Sequence, residues 1–307
     1  DKWGKAYDLG EWLDFAKLKE EAVKSCLLYT LDMGDTTSIR GQMQIKACMK
    51  DPYGTPYIPG SSLKGMLRTI LAAAMIMERD DLRSNIRKDL ERNLSVAKDK
   101  KIYLADTVEN AETKIFRTLK RKDSKPGGAV NDVMQGFIVG DSEPIEGRNA
   151  LILAQKIERK TDAAEKSLNL LRESLRPGTK ITFPLTVDPK LCPFDMGEIL
   201  EAIYKFDEQY NDNFIVKYKG IDPLRADLPQ VFLGGGAGFL SKTLIYPIMG
   251  SAGVDAVMTI FDKTKVPGHH KHSQDKKFGV SPHIIKCTHY KGKTLQFGLC
   301  EFAIEEV

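Results

Sequence analysis

The sequence predicts an α+β protein of two domains. A strand-like run and a turn (Arg40 to Gly54) deliver the chain into a long apolar-periodic helix after Pro59. Two apolar runs, Leu168 to Leu175 and Lys180 to Val187, flank Arg176-Pro177-Gly178, which reads as the turn of a long hairpin. Phe194 to Phe206 repeats Met196, Ile199, Leu200, Ile203 and Tyr204 at helical spacing. A chain of 307 residues is long enough to bury two cores, and the expected division falls near the Arg176 turn, giving units of 1–178 and 179–307.

Taken in order, Asp8 to Leu31 reads as helical, with Leu9, Leu13, Ala16, Val23 and Leu27 recurring between charges. Met33 to Ser38 is a polar connection, Arg40 to Met49 an imperfectly alternating strand, and Asp51-Pro52-Tyr53-Gly54 a turn. The stretch Y-I-P-G-S-S-L-K-G-M-L-R-T-I-L-A-A-A-M-I-M from Tyr57 to Met77 places Leu63, Met66, Leu67, Ile70, Leu71 and Ala74 on one buried face, with Ser61 or Ser62 as the helix cap. Glu78 to Lys122 is dominated by charge and reads as a helical hairpin or a mobile insertion (about 78–130), and Ser124 to Ala129 as a solvated loop. Regular structure is expected at Val133 to Val139, at Ala150 to Glu158, as a short helix at Val254 to Phe261, and as two strands around Lys291-Gly292-Lys293.

Composition narrows the chemistry. With 46 basic and 42 acidic residues the net charge is only +4, so a polyanion would be held by local patches. No apolar run reaches the roughly eighteen residues of a membrane-spanning helix, and the chain reads as soluble. The five cysteines, Cys26, Cys48, Cys192, Cys287 and Cys300, are dispersed without C-x-x-C spacing, which argues against a disulfide framework or a zinc site and fits a reducing cytoplasm. The chain starts at Asp1 rather than a methionine, so native sequence is expected before it.

Two stretches carry candidate chemistry. At the start of the Pro59 helix, free N–H groups, the hydroxyls of Ser61 and Ser62, the bare surface of Gly65, and the cations Lys64 and Arg68 converge where a phosphate could sit. The other reading is an amphipathic helix whose cations face water. A Walker loop is excluded, because its lysine would fall at Met66. The second stretch, V-F-L-G-G-G-A-G-F-L-S-K-T-L-I-Y-P from Val231 to Pro247, sets Gly234, Gly235, Gly236 and Gly238 between a short strand and a helix start carrying Lys242. A dinucleotide fingerprint fails at Phe239, and a Walker pattern fails because Ser241 precedes Lys242. What is left is a glycine loop that holds a sugar-phosphate backbone, or a tight turn where helix and sheet pack closely.

His269, His270 and His272 lie in a polar loop with no carboxylate or thiol in view, a pattern read as solvated rather than metal-binding. His283, after Ser281-Pro282, is the one candidate acid or base, against a structural role beside a strand.

The Y-I-P-G-S-S-L-K-G-M-L-R-T segment resembles the signature of the RAMP superfamily of CRISPR proteins, and F-L-G-G-G-A-G-F-L-S-K-T its glycine-rich loop. With Q-G-F-I-V-G-D-S-E-P-I, L-R-P-G-T-K-I-T-F and F-G-V-S-P-H-I-I-K, the ordered set from about Arg40 onward is most similar to the fifth-subunit family of type III-A (Csm) effector complexes. The resemblance implies two ferredoxin-like, RRM-related domains. The first strand of such a domain, ending in a T-P-x-x-I-G-like segment, is not found before Asp8. It further implies a non-catalytic subunit without cofactor that caps the complex at the 3′ region of the CRISPR RNA and is needed for 3′-end maturation. Its implied partners are CRISPR RNA, the other Csm subunits, the backbone subunit above all, and host ribonucleases. Ser61, Ser62, Lys64, Gly65 and Arg68 would contact RNA or a neighbouring subunit, and Gly234, Gly235, Gly236, Gly238 and Lys242 would form the loop on the RNA backbone. Recognition would be by backbone and shape, since no RNP-type aromatic pattern is present. Two alternatives stand beside this reading: a metal-independent endoribonuclease processing precursor RNA with His283 as base, and, more remotely, nucleotide-dependent transfer at the glycine loop.

Overall fold

The computed structural model describes residues 9–36, 43–95, 104–125, 127–147, 150–264, 266 and 268–305. Its helices are α1 (Leu9–Ala16), α2 (Glu20–Ser25), α3 (Gly60–Glu78), α4 (Asp80–Ser95), α5 (Ala105–Ile115), α6 (Met196–Asn213), α7 (Ile245–Met249), α8 (Gly253–Lys263) and α9 (Asp275–Phe278). Its strands are β1 (Gln44–Lys46), β2 (Phe137–Val139), β3 (Leu151–Lys160), β4 (Glu165–Leu175), β5 (Leu185–Val187), β6 (Gln230–Phe232), β7 (Ile284–Tyr290), β8 (Lys293–Gln296) and β9 (Leu299–Glu301). This is the mixed α+β architecture the sequence predicts. No helix among the described residues is long and apolar enough to cross a membrane.

The main sheet runs in the order β1-β4-β3-β7-β8. β1 lies parallel to β4, while β3 pairs antiparallel with both β4 and β7. β3 and β4 precede residue 178 and β7 and β8 follow it, so one ladder joins both portions of the chain. Against this sheet packs a core centred on α3 and α6. Leu63, Met66, Leu67, Ile70, Leu71 and Ala74 are all buried, as their spacing predicts, and Ala72, Ala73 and Ile76 join them. The second half of α3 is therefore enclosed almost all round, by α4, α6 and α7.

Several expectations are corrected. The hairpin is real but one strand earlier: β3 turns at residues 161–164 into β4, and after the Arg176 turn the chain leaves the sheet, so β5 pairs with β2 instead. Apolar alternation lets Leu168 to Leu175 pair with Lys180 to Val187 or with Ala150 to Glu158, and the observed register with Leu151 to Arg159 decides. Ser61 and Ser62 do not cap α3. The cap position is Pro59, with no side-chain cap, and the Gly60 N–H donates to Asp141 Oδ1 at 2.8 Å. The anion anticipated at this helix start is thus supplied by the protein itself. The Asp8 to Leu31 helix breaks at Lys17, whose φ is 48°, and α2 buries no residue, leaving Leu27 and Leu28 exposed. The strand expected over Arg40 to Met49 is seen as β1; residues 37–42 lie outside the described set.

Other elements agree. The charged stretch forms the helical hairpin α4–α5, closed by an Asn93 amide donating to Thr107 Oγ1 at 2.8 Å in a buried site. The Asp51 turn is held by its own carboxylate, which accepts from the Tyr53 and Thr55 N–H groups at 2.9 and 2.8 Å. α6 runs seven residues past Phe206, to Asn213. It opens on a capping box in which Asp195 and Glu198 exchange side-chain bonds with each other's N–H. Lys242 sits in a 3₁₀ turn, Leu240–Lys242, rather than at the start of a helix; α7 begins three residues later.

Candidate nucleic-acid interface

The tertiary structure brings the two informative stretches together. Ser62, Gly65, Met66 and Thr69 of α3 form one wall of a cleft of about 270 Å³, and Phe232, Gly234, Gly235 and Lys242 form the other. Gly65 has no atom within 4 Å of where a side chain would begin, and the same holds for Gly234, so both leave the backbone open to a ligand. Lys242 reaches across the loop, its Nζ 3.4 Å from the Gly234 carbonyl.

The same helix splits the remaining candidates. At about 100° per residue, Ser62, Gly65 and Thr69 share the cleft face, while Ser61, Lys64 and Arg68 fall on the adjoining side. Arg68 is held there. Its guanidinium pairs with Glu112 and Asp132, at 2.8 Å to Asp132 Oδ2, and stacks 3.9 Å over the Phe116 ring. Lys64 is half-buried and lies close enough to the buried Cys192 thiol to influence it. The cations Lys64 and Arg68 therefore do not enter the cleft with Lys242.

The glycine loop is seated on the sheet, and close packing accounts for part of its composition. Gly234 and Gly238 have φ of 85° and 94°, and a side chain on Gly236 would begin 2.8 Å from the Phe297 ring. Beneath the loop lie cations that the sequence reading missed. Arg172 of β4 donates to the Gly235 carbonyl at 3.3 Å, and its Nε is buried without a partner in the described structure. Lys286 of β7 packs under Gly238 and pairs with Glu158. Lys156 of β3 is pushed down from the ordinary lysine value to about 8, first by burial, then by the positive fields of Lys286 and Arg172, with Lys242 adding a smaller push. Glu158 compensates one of these four charges through Lys286, and Lys156, Arg172 and Lys242 make no ion pair among the described residues, which leaves the patch net positive. The sequence did carry a signal: Lys156 and Lys286 are each the lone cation in an apolar strand run, L-I-L-A-Q-K-I and I-I-K-C-T.

The thiols take no part. All five cysteines are free, and burial pushes Cys287 up to about 12 and Cys300 up to about 11, which keeps them protonated. The histidine region is more ordered than a solvated tract, and this is a correction. Gly268–His270 and His272–Gln274 are 3₁₀ turns leading into α9, and His272 Nδ1 lies 2.9 Å from Asp275 Oδ2, the carboxylate partner not seen from sequence. His283 is only 4% exposed and its Nδ1 also meets Asp275. Tyr218 and Tyr246 secure the same corner by donating their hydroxyls to the carbonyls of Pro282 and Ser281, at 2.6 and 2.9 Å.

Residues 34–239, which span both walls of the cleft as far as the glycine loop, match the family described as the RAMP superfamily. The chain is also 31% identical over 269 residues to the CRISPR system Cms protein Csm5 of Mycobacterium tuberculosis, in both strain CDC 1551 / Oshkosh and strain ATCC 25618 / H37Rv. That alignment covers 85% of this chain and 67% of the relative. The chain belongs to the RAMP superfamily, in its Csm5 family. A third relative of this RAMP chain, Csm5 of Streptococcus thermophilus, is 31% identical over 214 residues, 66% of this chain and 50% of its own. Among solved structures, the RAMP chain resembles a chain of a Csm-crRNA-target RNA ternary complex of a type III-A CRISPR-Cas system, with a TM-score of 0.48 at 18% identity over 95% of this chain and 86% of that one. It also resembles Csm5 of T. onnurineus, with a TM-score of 0.46 at 19% identity over 87% and 79%.

Proposed function

We propose that this chain is a non-catalytic RNA-binding subunit of a type III-A CRISPR effector, that it caps the complex at the 3′ end of the CRISPR RNA, and that it supports 3′-end maturation by other nucleases. The observation that carries this reading is the cleft in which Ser62 and Gly65 face Gly234, Gly235 and Lys242, with Arg172 held against the Gly235 carbonyl and Lys156 within the field of Lys242. Exposed backbone and fixed cations suit phosphates, and among the described residues the aromatic side chain lining the cleft is Phe232, which is itself core. Ser61 and Lys64, on the adjoining face, are assigned to a neighbouring subunit. Arg68 supports that face from within through its ion pairs. The order β1-β4-β3, with β1 parallel to β4 and antiparallel β3 beside it, is the arrangement of three strands in a ferredoxin-like unit and favours that fold for the first of two such domains. Against the nuclease alternative stand the burial of His283 and its engagement by Asp275.

In the assembled complex, Lys156→Ala with Lys242→Ala is expected to weaken CRISPR RNA binding roughly 10- to 50-fold near physiological salt and to lower the salt slope by about 0.7 per lysine. The CRISPR RNA recovered should be longer at its 3′ end. Unchanged affinity, RNA length and subunit composition would sink the proposal. Specific cleavage of precursor RNA by the isolated chain, lost in His283→Ala, would replace it with the nuclease reading.

Lys156 adds a pH dependence. With its pKa near 8 in the free protein, it is charged below that value and must take up a proton to meet a phosphate above it. RNA affinity should therefore fall as pH rises through about 8, by roughly tenfold between pH 7 and pH 9. Lys156→Arg, charged at both values, should flatten the profile. Parallel titrations of the two proteins decide it: an equal pH dependence in both removes Lys156 from the interface.

A further inference from the structure

The corner formed by His272, Asp275 and His283 is a cluster of metal-ligating side chains that the RNA reading does not use. One ligand atom from each residue lies within 4.8 Å of the other two. The Asp275 side chain is fully buried, that of His283 is 5% exposed and that of His272 13%. Both imidazoles turn Nδ1 toward the carboxylate, His272 to Oδ2 at 2.9 Å and His283 to Oδ1. The Ser281 hydroxyl donates to Oδ2 at 2.6 Å, in the manner of an outer partner that orients a ligating carboxylate. Among the described residues no lysine or arginine pairs with Asp275; its ion-pair partners are the two histidines. The two imidazoles and the Ser281 hydroxyl satisfy this buried carboxylate, and a cation entering between the rings would take over the imidazole contacts while Ser281 holds the carboxylate in place.

We infer that His272, Asp275 and His283 form a structural site for a single divalent ion of the zinc class, held by the two imidazole Nδ1 atoms and one carboxylate oxygen, with a water as the fourth ligand. Metal–ligand bonds of about 2.0–2.2 Å in a tetrahedral site set ligand atoms roughly 3.3–3.5 Å apart. The His272 contact at 2.9 Å needs to open by only a few tenths of an ångström. Each imidazole would ligate through an Nδ1 that carries no proton, with its N–H on Nε2. Two imidazoles with one carboxylate suit zinc, cobalt or nickel better than calcium or magnesium.

The location gives the ion a structural task. Asp275 opens α9, His272 lies in the turn before it, and His283 precedes β7, so the ion pins the segment after α8 to the sheet. Phe261 packs 4.5 Å from the His272 ring and 5.5 Å from Phe239 of the glycine loop, which carries that bracing to the cleft wall.

The test is metal binding by the purified full chain, stripped with EDTA and then loaded with Zn²⁺ or Co²⁺. Desalted protein should retain about one ion per chain, the Co²⁺ form should show the visible absorption of a four-coordinate site, and Zn²⁺ should raise the unfolding temperature. His272→Gln should lose the ion and its stabilisation. X-ray absorption of the Zn²⁺-loaded wild-type protein, which needs no variant to fold, should show two imidazole ligands. Failure to retain metal, equal retention in His272→Gln, or a coordination shell without imidazole scattering would each overturn the site, while the RNA-binding reading stands or falls separately on the Lys156 and Lys242 variants.

Discussion

Gly60→Ala is expected to cost more than about 3 kcal/mol of folding free energy, because the site has no room for a methyl group. A Cβ at this position would begin 2.2 Å from the Gly140 carbonyl oxygen and 2.4 Å from that of Val139, and both are backbone atoms that no rotamer change can move. The surroundings resist a shift. Gly60 N–H donates to Asp141, Ser142 N–H to the Ile58 carbonyl at 2.9 Å, Ile58 N–H to Ser142 Oγ at 2.9 Å, and Gly140 N–H to the Pro184 carbonyl at 3.0 Å. Backing α3 away would break this lattice and open the core that α3 fills. Gly65→Ala on the same helix is the control: with open space around it, the change should leave stability unchanged or raise it by about 0.5–1 kcal/mol. Urea unfolding of both proteins measures the contrast. A Gly60→Ala loss below about 1 kcal/mol would mean that the close approach of helix and strand is not a constraint.

Arg68→Ala should destabilise by about 2–3 kcal/mol. The side chain is 22% exposed and its carboxylate partners Glu112 and Asp132 are 33% and 19% exposed, so the loss falls short of a fully buried pair. Two processes add. The carboxylates are left facing each other without a cation, and the guanidinium contact over Phe116 disappears. The link also ties α3 to α5 and to the turn at Asp132, which caps its own 3₁₀ turn through the Met134 N–H at 2.8 Å. In a background of Glu112→Gln and Asp132→Asn the same replacement should cost markedly less, because no unpaired charge is then created. Equal costs in both backgrounds would show that the ion pairs contribute nothing.

Much of the fold was legible along the chain because it follows from local periodicity. The buried face of α3, the helix α6, the Asp51 turn and the strands β3, β7 and β8 lie where spacing placed them. The hairpin was misassigned because Leu168 to Leu175 alternates equally well with either neighbour, and only cross-strand register separates the two. The missing serine cap has a similar cause: Ser61 and Ser62 have the right chemistry, but Asp141, distant in sequence, arrives first. The basic cleft was half legible. Its glycines and Lys242 stood out as motifs, whereas Lys156, Arg172 and Lys286 lie in three different strands, and no local pattern reports that a sheet sets them side by side.

Sequence alone determined the α+β class, the family and the two glycine- and serine-bearing corners, since those rest on residue type and short-range spacing. Which side chains share a surface was decided only by tertiary structure. Lys64 and Arg68 turned to one side of a helix and Lys242 met Ser62 and Gly65 on the other, while Asp275 joined two histidines that sequence had left without a partner. The reason is geometric: a helix assigns neighbours by angle and a sheet by register, and Lys242 reaches Ser62 and Gly65 across the chain that way, whereas Asp275 lies only three and eight residues from its histidines and needs the turn between them to set its direction.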